Sequence, residues 1–82
     1  MFTETKDQIH ARQIIMQYFP IVDEGRLWTE DERHGVVLEE GIVTMLDADG
    51  CPRTRKLSYE EFAYMLHIGH DTVDEVANEM NA

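Results

Sequence analysis

Three Ser/Thr-x-x-Glu segments divide the sequence, at residues 29–32, 58–61 and 72–75. In such a capping box the first hydroxyl accepts a hydrogen bond from the backbone N–H three residues later, and the glutamate bonds back to the first N–H. Helices are therefore predicted to begin near Thr29, Ser58 and Thr72. Another helix is predicted over 5–19, where apolar residues recur at near-helical spacing until Pro20 ends the pattern.

The segment 29–46 is compatible with two kinds of secondary structure. Its apolar positions step by three and four from His34 to Met45, which is typical of one helical face. The β-branched residues within 42–46 suit a strand instead, and Gly35 and Gly41 each weaken a helix by about 1 kcal/mol relative to alanine. We prefer a helix that runs to about residue 46.

Residues 47–57 are predicted to be a loop, because Asp49-Gly50 is a turn signal and Pro52 does not fit a helix interior. Within it, 53–57 is compatible with a short strand. The expected fold is all-α or mostly α, a single domain over 1–82 built as a bundle of about four helices. The loop contains the densest basic cluster in the chain: Arg53, Arg55 and Lys56.

The charge balance sets the expected partner. Seventeen Asp and Glu against seven Lys and Arg give a net charge of −10, which is repelled by phosphate backbones and anionic membranes. We therefore expect a larger protein with a basic surface as the partner, and neither direct nucleic-acid binding nor membrane binding. Carboxylates on rigid elements would steer such a partner and form ion pairs with it. The predicted partner-binding residues are Glu30, Asp31, Glu32, Glu39, Glu40, Asp74 and Glu75.

Catalysis, metal binding and cofactor binding are not expected. A chain of 82 residues has a thin core and little room for a deep substrate pocket. The sequence has no glycine-rich phosphate loop, no nucleophile elbow and no paired metal-binding histidines. One cysteine, Cys51, excludes an internal disulfide, and His67, His70 and Asp71 flank a glycine that is predicted to end their helix. With no signal-peptide pattern and no apolar run of membrane length, a cytoplasmic location is expected.

Residues 42–66 have two local resemblances. Asp47-Ala48-Asp49-Gly50 followed by Leu57-Ser58-Tyr59-Glu60-Glu61-Phe62 resembles an EF-hand, the calcium-binding helix-loop-helix family. The resemblance implies oxygen ligation by Asp47, Asp49 and Glu61, although the span from Asp47 to Glu61 exceeds the twelve-residue loop of that family.

The second resemblance of the same stretch is to the helix-turn-helix segment of recombinase-like DNA-binding proteins. It rests on a leucine, a glycine, a basic loop, the capping Ser58 and the amphipathic helix that follows. It implies phosphate contacts by Arg53, Arg55 and Lys56. Glu60-Glu61 would lie in the turn where such proteins contact bases, and carboxylates there repel the backbone.

These observations favour a non-catalytic regulatory protein that binds the basic surface of a larger protein. Its most specific form is an inhibitor of a nucleic-acid-handling enzyme, such as RNA polymerase or a defence nuclease, of the compact acidic kind that phages and plasmids carry. This analogy is one of composition. The alternatives are a DNA-binding or transcription-complex module that uses the 53–56 cluster, and a degenerate calcium-binding helix-loop-helix. A homodimer is also compatible with so thin a core.

Overall fold

A computed structural model describes residues 2–80 and shows a five-stranded antiparallel sheet flanked by helices. The strands follow one another in the sheet in chain order. The elements are α1 (Lys6–Tyr18), β1 (Ile21–Asp23), β2 (Arg26–Trp28), β3 (Gly35–Glu39), β4 (Ile42–Leu46), β5 (Pro52–Ser58), α2 (Tyr59–Ala63) and α3 (Val73–Met80). A π-helical turn over Tyr64–Ile68 continues α2.

The predicted all-α bundle is wrong, and the error lies mainly in residues 29–46. This segment forms a loop followed by the β3–β4 hairpin, with Glu39 paired to Ile42. The two turn residues, Glu40 and Gly41, have φ angles of 51° and 81°. Positive φ at both positions is the type I′ geometry that matches the twist of a two-residue hairpin. Gly41, which weakened the predicted helix, is therefore a turn residue, and 42–46 is a strand.

Two of the three predicted capping boxes begin a helix in the structure, and the third does not. Thr72 and Glu75 exchange the expected bonds: the N–H of Glu75 donates to Thr72 Oγ1 at 3.2 Å, and the N–H of Thr72 donates to Glu75 Oε1 at 3.3 Å. Ser58 Oγ accepts from the N–H of Glu61 at the start of α2. No helix begins at Thr29, which lies instead in the loop before β3.

The basic segment is a strand rather than a loop. Only the start of the predicted 47–57 loop is a turn, in which Asp47 Oδ1 accepts the N–H groups of Asp49 and Cys51 at 2.9 and 3.0 Å. The strand β5 follows at the edge of the sheet. It begins with Pro52, whose missing N–H is tolerated at the first position of an edge strand. The expectation that 53–57 is extended is confirmed.

The helices pack on one face of the sheet. Val36, Val43 and Met45 point from β3 and β4 into the core and are fully buried. They meet the inner faces of the helices, where the rings of Phe19 and Phe62 lie 5.9 Å apart between centroids. No helix in the described range is both long and apolar enough to cross a membrane.

The opposite face of the sheet, here called the outer face, has its own apolar side chains. Strand residues alternate between faces, so the neighbours of the core residues point outward. The ring of Trp28 lies on Gly35, where an added Cβ would be 2.8 Å from two ring carbons. Leu46, opposite Gly35, is only 4% exposed, yet it is not part of the core cluster. The apolar outer-face residues are Ile21, Trp28, Val37, Ile42 and Leu46.

Candidate functional site: an acidic groove

A groove of about 490 Å³ opens where three separate parts of the chain meet. Its walls are the end of α1 with Pro20, the loop 29–34, and the start of α3. The fold brings these segments together because the helix layer covers one face of the sheet, while the loop 29–34 connects β2 to β3 beside it. The groove therefore exists only in the folded chain and has no counterpart in a continuous motif.

Three of the predicted partner-binding carboxylates line this groove. Glu30 and Asp31 come from the loop, and Asp74 comes from the first turn of α3. The lining in the described structure includes no lysine or arginine, and its apolar part is supplied by Tyr18 and Val73, among others. A groove with carboxylates at its edge and an aromatic ring in its wall can hold a cationic side chain that has an apolar stem.

Thr29 fixes the loop that carries the first two carboxylates. Its side chain is buried, and its hydroxyl donates to Asp31 Oδ1 at 2.6 Å. The backbone closes around it, with the N–H of Thr29 donating to the carbonyl of His34 at 3.0 Å. The N–H of Arg33 also donates to Asp31 Oδ1, at 3.1 Å. The hydrogen bond from Thr29 is the first cause that lowers the pKa of Asp31 below its usual value, and the bond from Arg33 is the second.

Replacing Thr29 with valine should raise the pKa of Asp31 toward the ordinary aspartate value. Valine keeps the shape of the side chain but removes the hydroxyl donor that favours the carboxylate form. A folded-state pKa below the unfolded value gives stability that is present above the unfolded pKa and lost as the pH falls through the folded one. The pKa should be followed by the side-chain carboxyl ¹³C shift of Asp31 in both proteins. Equal titration curves would contradict the role given to Thr29.

His34 connects the groove to the sheet. Its Nε2 lies 2.5 Å from Asp74 Oδ1, and its Nδ1 lies 3.5 Å from Arg53 Nη2. Arginine can only donate, so a neutral imidazole satisfies both neighbours when its proton is on Nε2. The ring is 12% exposed, whereas the Asp74 side chain is 66% exposed. His34 therefore orients Asp74 at the groove while the carboxylate stays open to solvent.

The other predicted partner-binding residues lie elsewhere. Glu39 and Glu40 are at the β3–β4 turn, beside a different depression that Lys56 also lines. Glu75 caps the start of α3 through Thr72. Glu32 is an exposed loop residue that does not line the groove. The structure therefore divides the predicted acidic surface into a groove and a separate acidic turn.

The basic cluster is divided as well. Arg53 is partly buried, with its guanidinium directed toward His34. Arg55 and Lys56 are exposed on β5. The nucleic-acid alternative therefore depends on these two residues.

The expected ligands of the calcium alternative lie in two elements. Asp47 and Asp49 lie in the turn between β4 and β5. Glu61 lies in α2, where its side chain accepts a hydrogen bond from Ser58 Oγ at 3.0 Å.

The two histidines near the start of α3, His67 and His70, lie on either side of Gly69 in the sequence. His67 Nδ1 lies 3.4 Å from the hydroxyl of Tyr18, which donates to the carbonyl of Leu66. His70 has a φ of 57°, just before α3. Within residues 2–80, no three or more His, Cys, Asp or Glu side chains are grouped so that they could hold a metal ion.

Several lining residues of the groove were not predicted from the sequence, among them Thr29, His34 and Tyr18. His34 was assigned to the apolar face of a helix, and the lining role of Thr29 was hidden by its assignment as a helix cap. No local signal identifies these residues, since the groove depends on contacts between distant segments.

The sequence matches no protein-family model, and neither the curated proteins nor the solved structures compared with it include a match.

Proposed function

We propose that this is a non-catalytic interaction protein whose acidic groove receives a lysine or arginine side chain of a larger partner protein. The observation that carries the proposal is the convergence of Glu30, Asp31 and Asp74 on one groove whose lining in the described structure includes no lysine or arginine. Strands β3, β4 and β5 lie between Asp31 and Asp74 in the sequence. The carboxylates therefore come together only when the chain folds.

The chemistry of the groove suits a cation on a flexible stem. The carboxylates would pair with the charged end, and Tyr18 and Val73 would pack against the methylene groups. The hydrogen bonds from Thr29 and Arg33 keep Asp31 ionised at pH values where an ordinary aspartate begins to be protonated. The remaining negative charge of the chain, −10 in total, would attract a basic surface from a distance.

The most specific form of the proposal is inhibition of a nucleic-acid-handling enzyme. Such enzymes hold phosphate backbones in basic channels, and a rigid acidic surface competes for the same cations. RNA polymerase and defence nucleases are the partner classes that this chemistry fits. A cytoplasmic location is part of the same proposal, since the chain's one cysteine, Cys51, is free and exposed, which suits a reducing compartment.

The proposal is tested by affinity capture with three baits. The first is the native chain, and the second is the groove variant Glu30→Gln, Asp31→Asn, Asp74→Asn. The third is a control variant, Glu24→Gln, Glu39→Gln, Glu40→Gln, which removes the same number of charges from exposed positions outside the groove. Equal net charge in the two variants separates groove binding from general attraction.

A protein that the native and control baits capture and the groove variant loses, and whose binding heparin displaces, is the expected result. Inhibition of that protein's activity on nucleic acid by the native chain would establish the inhibitor form. If both variants lose the captured protein equally, the carboxylates act only through general electrostatic attraction and not through the groove. If all three baits capture it equally, the proposal is overturned. The DNA-binding alternative makes a different prediction: reversing Arg55 and Lys56 to glutamate should abolish binding that the groove variant retains.

A further inference from the structure

We propose that protonation of His34 weakens the hold of the acidic groove on a cationic side chain, so that the groove releases its partner as the pH falls. The inference rests on the proposed function and adds a means of regulating the same site. His34 lines the groove, and its side chain is 12% exposed. Histidine is the side chain whose charge ordinarily changes between about pH 5 and 8.

The two ring nitrogens of His34 face groups of opposite kind. Nε2 lies 2.5 Å from Asp74 Oδ1 in the first turn of α3, and Nδ1 lies 3.5 Å from Arg53 Nη2 on β5. An ionised carboxylate can only accept a hydrogen bond, and a guanidinium can only donate one. A neutral ring with its proton on Nε2 therefore suits both neighbours, whereas a protonated ring suits only Asp74.

Arg53 makes the contact with His34 sensitive to a proton. Among residues 2–80, its guanidinium has His34 Nδ1 as an acceptor, while its buried Nε has no partner. A proton on Nδ1 removes that acceptor and places a second cation 3.5 Å from Nη2. Because like charges repel at this distance, either Arg53 or the His34 ring must move. Both movements break the contact between the loop 29–34 and β5.

The added charge also acts directly on a bound cation. Protonation places one positive charge in a wall that otherwise has three carboxylates. Asp74 then forms an ion pair with the imidazolium, and a lysine or arginine side chain must compete for it. The charged or titratable groups around His34 are Asp74 on α3, Arg53 on β5, Glu30, Asp31 and Arg33 in its own loop, and the Tyr18 hydroxyl at the end of α1.

The carboxylates themselves do not account for a change in this pH range. Ordinary aspartate and glutamate side chains stay ionised above about pH 5.5. The hydrogen bond from Thr29 lowers the pKa of Asp31 further. A loss of affinity between about pH 7.5 and 5.5 therefore comes from a group that gains a charge there, and His34 is the histidine in the lining of the groove.

Proton binding and cation binding are then antagonistic, and the coupling between them is reciprocal. We expect protonation of His34 to weaken binding about tenfold, which is within the usual range for coupled sites. The bound cation must shift the titration of the His34 ring to lower pH by the same factor, about one pH unit. Two independent measurements therefore report the same coupling.

The first measurement is the dissociation constant of a short arginine-rich peptide at about pH 7.5 and about pH 5.5, on either side of the ordinary histidine value. The peptide has blocked ends and no His, Asp or Glu, so its own charge is constant. The native chain should bind it about tenfold more weakly at the lower pH. In His34→Gln, whose amide does not titrate, the two constants should be nearly equal. Comparing their ratio cancels any general effect of the substitution on affinity.

His67→Gln is the matched control, because it removes another titrating ring that lies beside Tyr18 but outside the groove lining. It should keep the native ratio of dissociation constants. Dispersed amide spectra at both pH values should verify that each variant is folded.

The second measurement needs no substitution in the binding experiment. The ring protons of His34 are followed by NMR in the native chain, with and without saturating peptide, and the titration should move to lower pH when the peptide is bound. An unmoved titration, equal native affinity at both pH values, or equal loss of the pH effect in His34→Gln and His67→Gln would overturn the inference and leave the proposed function intact. A peptide that binds at neither pH would overturn both.

Discussion

Replacing Phe62 with alanine should destabilise the protein by about 3–5 kcal/mol, the range for removing a large aromatic side chain from a core. Phe62 is fully buried, and its ring packs against Phe19, also fully buried, with a tilt of 36°. These two rings join α1 to α2 in the helix layer. The cavity left by the substitution is difficult to fill, because the surrounding core residues come from a sheet and three helices.

The loss is large compared with the stability available to so short a chain. A domain of this size typically has a free energy of unfolding near the low end of about 5–15 kcal/mol. Urea denaturation followed by circular dichroism measures the difference. Tyr64→Ala is the control, because Tyr64, two residues further along the chain, is 59% exposed and should change stability by about 0.5 kcal/mol or less. Equal losses in the two variants would contradict the assignment of Phe62 to the core.

Replacing Gly35 with alanine should destabilise the protein by about 1–3 kcal/mol, as expected when a well-packed contact is overfilled. The added Cβ would lie 2.8 Å from two carbons of the Trp28 ring, so the ring must move off the sheet. Trp28 is the only tryptophan. Its fluorescence should therefore report the displacement directly, with a shift to longer wavelength as the ring becomes more exposed.

A double-mutant cycle isolates this contact. In a Trp28→Leu background, Gly35→Ala should be close to neutral or stabilising, because alanine loses less backbone entropy than glycine in a strand. If Gly35→Ala destabilises both backgrounds equally, the cause lies in the backbone and not in the contact with the Trp28 ring.

The sequence predicted the helical parts of this fold better than its sheet. Thr5, Ser58 and Thr72 each begin a helix in the structure. At Ser58 and Thr72 the signal is local, because a cap forms between residues three positions apart. The first helix was predicted from the spacing of its apolar residues. Pro20 ends the first helix for an equally local reason, since proline disfavours helical geometry in the residue before it.

The hairpin was missed because its sequence fits two periodicities. Val36 and Leu38 alternate as a strand requires, and so do Val43 and Met45, but Leu38 and Met45 also fit the three-and-four spacing of a helical face. The decision depends on the positive φ angles of the turn at Gly41 and on the pairing of strands. A Thr-x-x-Glu segment at Thr29 then added a false helix start, because its hydroxyl instead bonds within the loop.

The candidate site was predicted in part. The acidic residues Glu30, Asp31 and Asp74 were identified from charge and helix-start position. Their convergence, the separation of Glu39 from them, and the place of His34 beneath Asp74 all depend on tertiary contacts. Composition can indicate the sign of a partner's charge, but the shape of the groove follows from the packing of the helices and the loop beside the sheet.

The central claim is that the groove holds a cationic side chain, and the most direct test is an amide NMR titration with a short arginine-rich peptide. Shifts should concentrate in 29–34 and 72–75 and should saturate. The groove variant should lose them, while the control variant with the same net charge should keep them. Shifts spread evenly over the acidic surface, or equal shifts in both variants, would contradict the claim.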